Sequence, residues 1–179
     1  HNCLVGSEMC IRDSSLKDLT ISYDCDYYST PVGEMNVVKK MKEVNAVVGG
    51  EGGGGIIYPD LHYGRDALVG IALFLSLLVK KGSSVSNLKE NYPKYYMKKL
   101  KMSLDNSRLI DQVFEKIINK YSDLSPNTED GVRIDFDDGW VHMRKSNTEP
   151  IVRIFSESDS QIKADKIALK IKNEINSLI

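Results

Sequence analysis

Residues 144–150 run Arg-Lys-Ser-Asn-Thr-Glu-Pro, an almost wholly polar stretch set between two apolar ones. Its side chains are those that a phosphate needs. Arg144 offers a planar fork of donors that fits two phosphate oxygens at once. Ser146 and Thr148 add hydroxyl donors. Asn147 tolerates positive φ, which lets successive backbone N–H groups turn toward one anion. Pro150 fixes the exit of the loop, and Arg153 places a second cation just beyond it. Ser, Asn and Thr are also ordinary turn formers. Residue types alone therefore leave a solvated hairpin loop open beside an anion site.

A second stretch with chemical potential is Gly49 to Gly55, Gly-Gly-Glu-Gly-Gly-Gly-Gly. It lacks the Lys-Ser/Thr of a nucleotide phosphate loop and is not a dinucleotide fingerprint. It is flanked by Val47-Val48 and Ile56-Ile57, where a flexible linker is out of place. Glycine there lets backbone approach a ligand closely, and Glu51 is the one side chain able to bind hydroxyls.

These loops need elements to hold them. Met35, Val37, Val38 and Met41 recur at helical spacing after Glu34, and Ala46-Val47-Val48 and Ile56-Ile57-Tyr58 read as strands. Asp66 is a plausible cap for a helix that runs to Lys80-Lys81 and stops at Gly82. That helix is apolar nearly all round, so burial on several sides is expected. Strands alternating with helices give a layered α/β domain. The polar stretch from Asn87 to Asp105 then leads to a second unit. There a helical stripe (Leu109, Val113, Phe114, Ile117, Ile118) precedes a hairpin turned at Asp138-Gly139 and a third strand, Ile151 to Phe155. A last amphipathic helix carries Ile162, Ile167, Ile171, Ile175 and Leu178 on one side. The order α-β-β-β-α predicts a small α+β domain, an antiparallel sheet covered by helices. The expected organisation is a leader at 1–14, an α/β unit at 15–104 and an α+β unit at 105–179.

The leader shows no periodicity. Its string CLVGSEMCIRDS resembles a translated sequencing adapter, so a non-native or disordered segment is expected there. The three cysteines, Cys3, Cys10 and Cys25, have no zinc-like spacing and fit reduced thiols in a cytoplasmic protein. A net charge of −1 gives no overall basic field for nucleic acid or an anionic membrane. The apolar run from Ala67 to Val79 falls short of the roughly 20 residues a membrane span needs. Lys94, Lys98, Lys99 and Lys101 interleave with Tyr92, Tyr95 and Tyr96, a pattern that can bind single-stranded nucleic acid; an exposed interdomain segment is the better reading. Asp135, Asp137 and Asp138 read as turn residues rather than a metal site, and Trp140 as core.

Arg144, Ser146, Asn147, Thr148, Glu149, Pro150 and Arg153 together resemble the C-terminal phosphate-binding signature of the α-D-phosphohexomutases, Arg-x-Ser-Gly/Asn-Thr-Glu-Pro followed shortly by Arg. The Gly-Glu loop at Glu51 is similar to the loop with which that family's third domain holds sugar hydroxyls. Tyr58-Pro59-Asp60 and Gly64-Arg65-Asp66 look like its phosphoglucosamine/phosphomannomutase branch. Pro31-Val32-Gly33-Glu34 resembles a second sugar-facing loop. Gly53 departs from the family's usual Ser or Asn.

The resemblance implies an incomplete third domain and a whole fourth domain of an intramolecular phosphotransferase. Arg144, Ser146, Asn147, Thr148 and Arg153 would bind the substrate phosphate, and Glu51, Gly53 and Glu34 the sugar. It also implies a phosphoserine and a Mg2+ site in earlier domains, neither of which this sequence carries. The implied partners are a phosphorylated hexose and the missing N-terminal domains of the same enzyme. The chain alone would then lack mutase activity. A non-catalytic phosphosugar-binding module is the alternative.

Overall fold

A computed structural model describes residues 3–7, 13–51, 54–103, 107–146 and 149–179. The chain divides into two compact units, His1–Lys94 and Tyr95–Ile179.

In the first unit, strand β1 (Cys3–Ser7) leads through helix α1 (Asp13–Ser22) to β2 (Asp26–Thr30). Helix α2 (Glu34–Val44) leads on to β3 (Val48–Glu51), which pairs with β4 (Gly55–Ile57). The sheet order is β2-β1-β3-β4; β1 runs parallel to both its neighbours, and β3 and β4 are antiparallel. Parallel neighbours need crossover connections, and α1 and α2 supply them. The expectation of a disordered leader is thus corrected at Cys3–Ser7, which form a central strand with Val5 fully buried. Short β-branched and small residues suffice where two strands and a helix cover them.

Val37, Val38 and Met41 of α2 pack with Val5 and Ile57 in this unit's core. Gly49 lets α2 come close to the sheet, because a Cβ there would lie 2.2 Å from the Met41 sulfur. The helix ends at Asn45 in the left-handed region, whose N–H donates to the Met41 carbonyl.

Helix α3 (Ala67–Lys81) is capped by Asp66, which accepts from the Val69 N–H at 3.0 Å, and it stops at Gly82. Its expected burial is corrected: none of its residues is buried, and Leu68 and Val79 are 77% and 83% exposed. The apolar composition records a helix that needs cover, while within this unit α3 packs on β4, with Gly70 against Ile56. Helix α4 (Val85–Glu90), capped by Ser84, closes the unit.

The second unit begins earlier than the expected residue 105. Its first element is β5 (Tyr96–Ser103), followed by α5 (Ser107–Lys120), β6 (Val132–Phe136), β7 (Gly139–Lys145), β8 (Ile151–Ser158) and α6 (Gln161–Leu178). The sheet is antiparallel in the order β5-β8-β7-β6. The predicted α-β-β-β-α therefore gains an edge strand. Ile110, Val113 and Ile117 of α5 and Ile167, Ile171 and Ile175 of α6 cover one face, built from Met102, Val152, Ile154, Met143, Val141, Val132 and Ile134. Ile162, expected on the packed side of α6, is 80% exposed.

Candidate functional site

Successive strand residues point to opposite faces, so the residues between those core positions share the other face. Register places Lys101 of β5 opposite Arg153 of β8, and Arg153 opposite Arg144 of β7. Three cations thus stand in one row across three strands, beside the 146–150 loop. Like charges directly opposite one another repel. A row of this kind favours an approaching anion.

Among the described residues each of the two arginines has an acidic neighbour. Arg144 Nε lies 3.2 Å from Asp130 Oδ1, and Arg153 Nη2 lies 3.8 Å from Glu149 Oε2. Arg153 Nε is buried and has no hydrogen-bond partner among the described residues. Lys145 leaves the row for the other side, where its Nζ reaches both Asp111 carboxylate oxygens at 2.7 and 2.9 Å. The Ser146 N–H donates to the Ile151 carbonyl at 3.0 Å, and the Ile151 N–H donates to that of Glu149 at 2.8 Å, so the loop is pinned at its base. Asn147 and Thr148 lie outside the described residues.

Behind the row, Trp140 Nε1 donates to the buried Glu157 Oε1 at 3.1 Å, and the Arg133 guanidinium sits 4.6 Å from the Trp140 ring centroid. His142 is buried, and its Nε2–H donates to the Asp130 carbonyl. Asp130 therefore holds Arg144 with its side chain and His142 with its backbone.

Burial disfavours the charged imidazole and holds the His142 pKa below the ordinary histidine range; the bond to Asp130 opposes this without overcoming it. The unfolded chain takes up this proton near about pH 6.5, whereas the folded unit resists it. Stability is then full above that pH and falls as the pH drops through it. The melting temperature should decline from pH 7.5 to 5.5, and His142→Gln should lessen the decline. An equally steep decline in the variant would show that His142 does not carry the effect.

In the first unit, Glu34 is the first residue of α2 and Glu51 the last of β3; Arg65 lies between them. The Arg65 N–H donates to Glu34 Oε1 at 3.2 Å and its Nε to Glu34 Oε2 at 2.9 Å, while Nη1 reaches Glu51 Oε2 at 3.0 Å. Its neighbours are fixed too. Gly64 N–H donates to His62 Nδ1 at 2.9 Å, leaving Nε2 to donate to Asp66 Oδ2 at 3.2 Å. His62 is thereby a turn residue. Gly53 lies outside the described residues. Among the described residues no three His, Cys, Asp or Glu side chains converge to hold a metal ion, and no helix is long and apolar enough to cross a membrane.

Sequence reasoning gave no ligand-site role to Arg65 or Asp130, and read Lys101 only as part of a basic-aromatic stretch. Arg65 offered its place before a helix cap and in the Gly64-Arg65-Asp66 segment, neither of which points to Glu34 or Glu51. Lys101 could be found only by pairing β5 with β8.

Two family models match the chain: "Phosphoglucomutase/phosphomannomutase, alpha/beta/alpha domain III" over residues 9–96, and the C-terminal domain of the same family over residues 98–174. A phosphoglucosamine/phosphogalactosamine mutase of Sulfurisphaera tokodaii is 35% identical over 172 residues, which is 94% of this chain and 37% of that protein. A phosphoglucomutase/phosphomannomutase of Thermococcus kodakarensis is 40% identical over 141 residues, 75% of this chain and 30% of that protein. The chain thus spans about a third of the length of these relatives. A crystal structure of a phosphoglucomutase/phosphomannomutase family protein from Burkholderia thailandensis matches with a TM-score of 0.79 at 23% identity, covering 99% of this chain and 38% of that one. At that identity it speaks to the fold.

Proposed function

Because the chain belongs to the phosphoglucomutase/phosphomannomutase family, we propose that it is the ligand-holding C-terminal part of a phosphohexomutase. Such an enzyme interconverts a hexose 6-phosphate and 1-phosphate, here of glucosamine or mannose, through a bisphosphate intermediate. The observation that carries this reading is the Lys101–Arg153–Arg144 row beside the pinned 146–150 loop.

Phosphoryl transfer depends on positioning and electrostatic stabilisation. A bisphosphate that must react at either end needs a fixed grip on whichever phosphate is not reacting. Arg144 and Arg153, with Ser146, Asn147 and Thr148 of the loop, provide that grip in this reading. Glu51, with its glycine neighbours including Gly53, reads the hydroxyls. The phosphoserine and the Mg2+ that would support transfer belong to the rest of the longer enzyme. Among the described residues no donor set converges on a metal; in this reading the chain's own contribution is to bind and orient. The free thiols Cys3 and Cys25 accord with a cytoplasmic enzyme.

Calorimetric titration tests this directly. The 179-residue chain should bind a hexose 6-phosphate more tightly than inorganic phosphate, and the free hexose most weakly. Equal affinity for the free and phosphorylated sugar would sink the phosphate assignment. A coupled assay should detect no interconversion by the chain alone. Turnover there would refute the division of labour.

A further inference from the structure

We propose that Arg65 is the positioning residue of the sugar-reading loop, holding the Glu51 carboxylate in place, and that Glu34 acts through Arg65 rather than on the sugar. The proposal rests on the assignment of Glu51 to hydroxyl recognition.

The geometry is that of a bridge. One guanidinium joins the start of α2 to the end of β3, and its own backbone leads directly into the Asp66 cap of α3. The stem has a built seat. A Cβ on Gly55 would lie 2.5 Å from Arg65 Cδ and 3.0 Å from Cγ, so the side chain lies flat on a glycine of β4. The Asp66 N–H donates to the Ile56 carbonyl at 2.8 Å, which fixes the same segment to the same strand.

The two carboxylates are used differently. Both Glu34 oxygens face Arg65, one taking its backbone N–H and one its Nε, and these contacts hold the Glu34 carboxyl below the ordinary carboxylate range. Among the described residues Glu51 is engaged through Oε2 alone. Glu34 is thus committed to orienting the arginine, and Glu51 keeps an oxygen for a ligand. A carboxylate tethered before the ligand arrives does not lose its side-chain freedom on binding. The Arg65 side chain is 52% exposed, and ion pairs so exposed contribute little to stability. The bridge therefore sets geometry more than it holds the fold.

The test is titration of the full 179-residue chain with a hexose 6-phosphate and, separately, with inorganic phosphate. Arg65→Ala should weaken the hexose 6-phosphate by about tenfold, the size of a lost charge-assisted contact, with inorganic phosphate affinity and melting temperature unchanged. Glu34→Gln should weaken it less, and the double variant should be no worse than Arg65→Ala, because coupled residues are not additive. Fully additive losses would put Glu34 on the sugar and overturn its indirect role. Arg65→Lys keeps the charge without the two-sided fork and should stay weakened; full recovery would overturn the bridge. If Glu51→Gln weakens hexose 6-phosphate binding but Arg65→Ala does not, the positioning role fails while the Glu51 assignment stands. If Glu51→Gln has no effect, that assignment fails and takes this inference with it.

Discussion

Replacing Arg144 by Ala should weaken phosphate-bearing ligands by about 1.5–3 kcal/mol, or roughly 10- to 150-fold, the range for a hydrogen bond to a charged group. Arg144 stands at the end of β7, opposite Arg153, with Asp130 behind it. Its guanidinium is oriented before any ligand arrives, so little freedom is lost on binding. Removing it also leaves the Asp130 carboxylate uncompensated beside an incoming dianion, which moves the expected loss toward the upper end. Inorganic phosphate should weaken along with hexose 6-phosphate, in contrast to Arg65→Ala. Arg144→Lys should recover only part of the loss, because an ammonium cannot engage two oxygens as a planar fork does. Unchanged phosphate affinity in Arg144→Ala would remove the loop from ligand binding.

Much of this arrangement can be read from residue order. Val132 and Ile134 alternate with polar neighbours, Asp138-Gly139 marks a turn, and Val141, Met143, Val152 and Ile154 follow suit. Such alternation becomes a sheet with one apolar face, as it does here. Of the polar stretch at 144–150, Arg144 and Lys145 extend β7 and pair with β8, and the Ser146 N–H donates to the Ile151 carbonyl. The stripe of α2 is equally plain at Val37, Val38 and Met41, whereas Met35, expected with them, is 77% exposed. What stays hidden depends on partners distant in sequence. β5 was obscured because Lys98, Lys99 and Lys101 mask the alternation of Leu100 and Met102, and long lysine stems are tolerated on a half-covered sheet. β1 was obscured because five small or aliphatic residues carry no pattern of their own, and they become a strand through pairing with β2 and β3. The apolar ring of α3 was misread as burial because composition tells what a helix would avoid, not what this unit can cover.

The same limit applied to the site. Glu34 and Glu51 are recognisable as carboxylates near glycines. That Arg65 occupies both oxygens of one and a single oxygen of the other follows only from three-dimensional proximity. Glu34, expected to bind the sugar, is found facing Arg65. The cation row is likewise a property of strand register, since Lys101 and Arg144 each reach Arg153 from a different neighbour.

Gly131 should, with Gly139, be among the most sensitive small residues in the second unit, because two independent effects meet there. Its φ is +86°, and a Cβ would lie 2.2 Å from the Met143 carbonyl oxygen and 3.3 Å from Arg144 Cα. The backbone conformation alone costs a non-glycine residue about 1–3 kcal/mol. The contact is with backbone of β7, which cannot swing away as a side chain would, and forcing a packed site apart costs about 1–3 kcal/mol more. Gly131→Ala should therefore destabilise the unit by about 2–6 kcal/mol, read as a lower midpoint in urea. Gly82→Ala is the control: its φ is +55° with nothing within 4 Å of the added Cβ, so only the conformational term of about 1–2 kcal/mol applies. Gly131 also follows Asp130, which orients Arg144 and His142. Displacing this turn should loosen Arg144 from behind, so phosphate affinity should fall in whatever fraction stays folded. An alanine variant with both its midpoint and its phosphate affinity intact would mean that the turn at Asp130 does not hold the arginine.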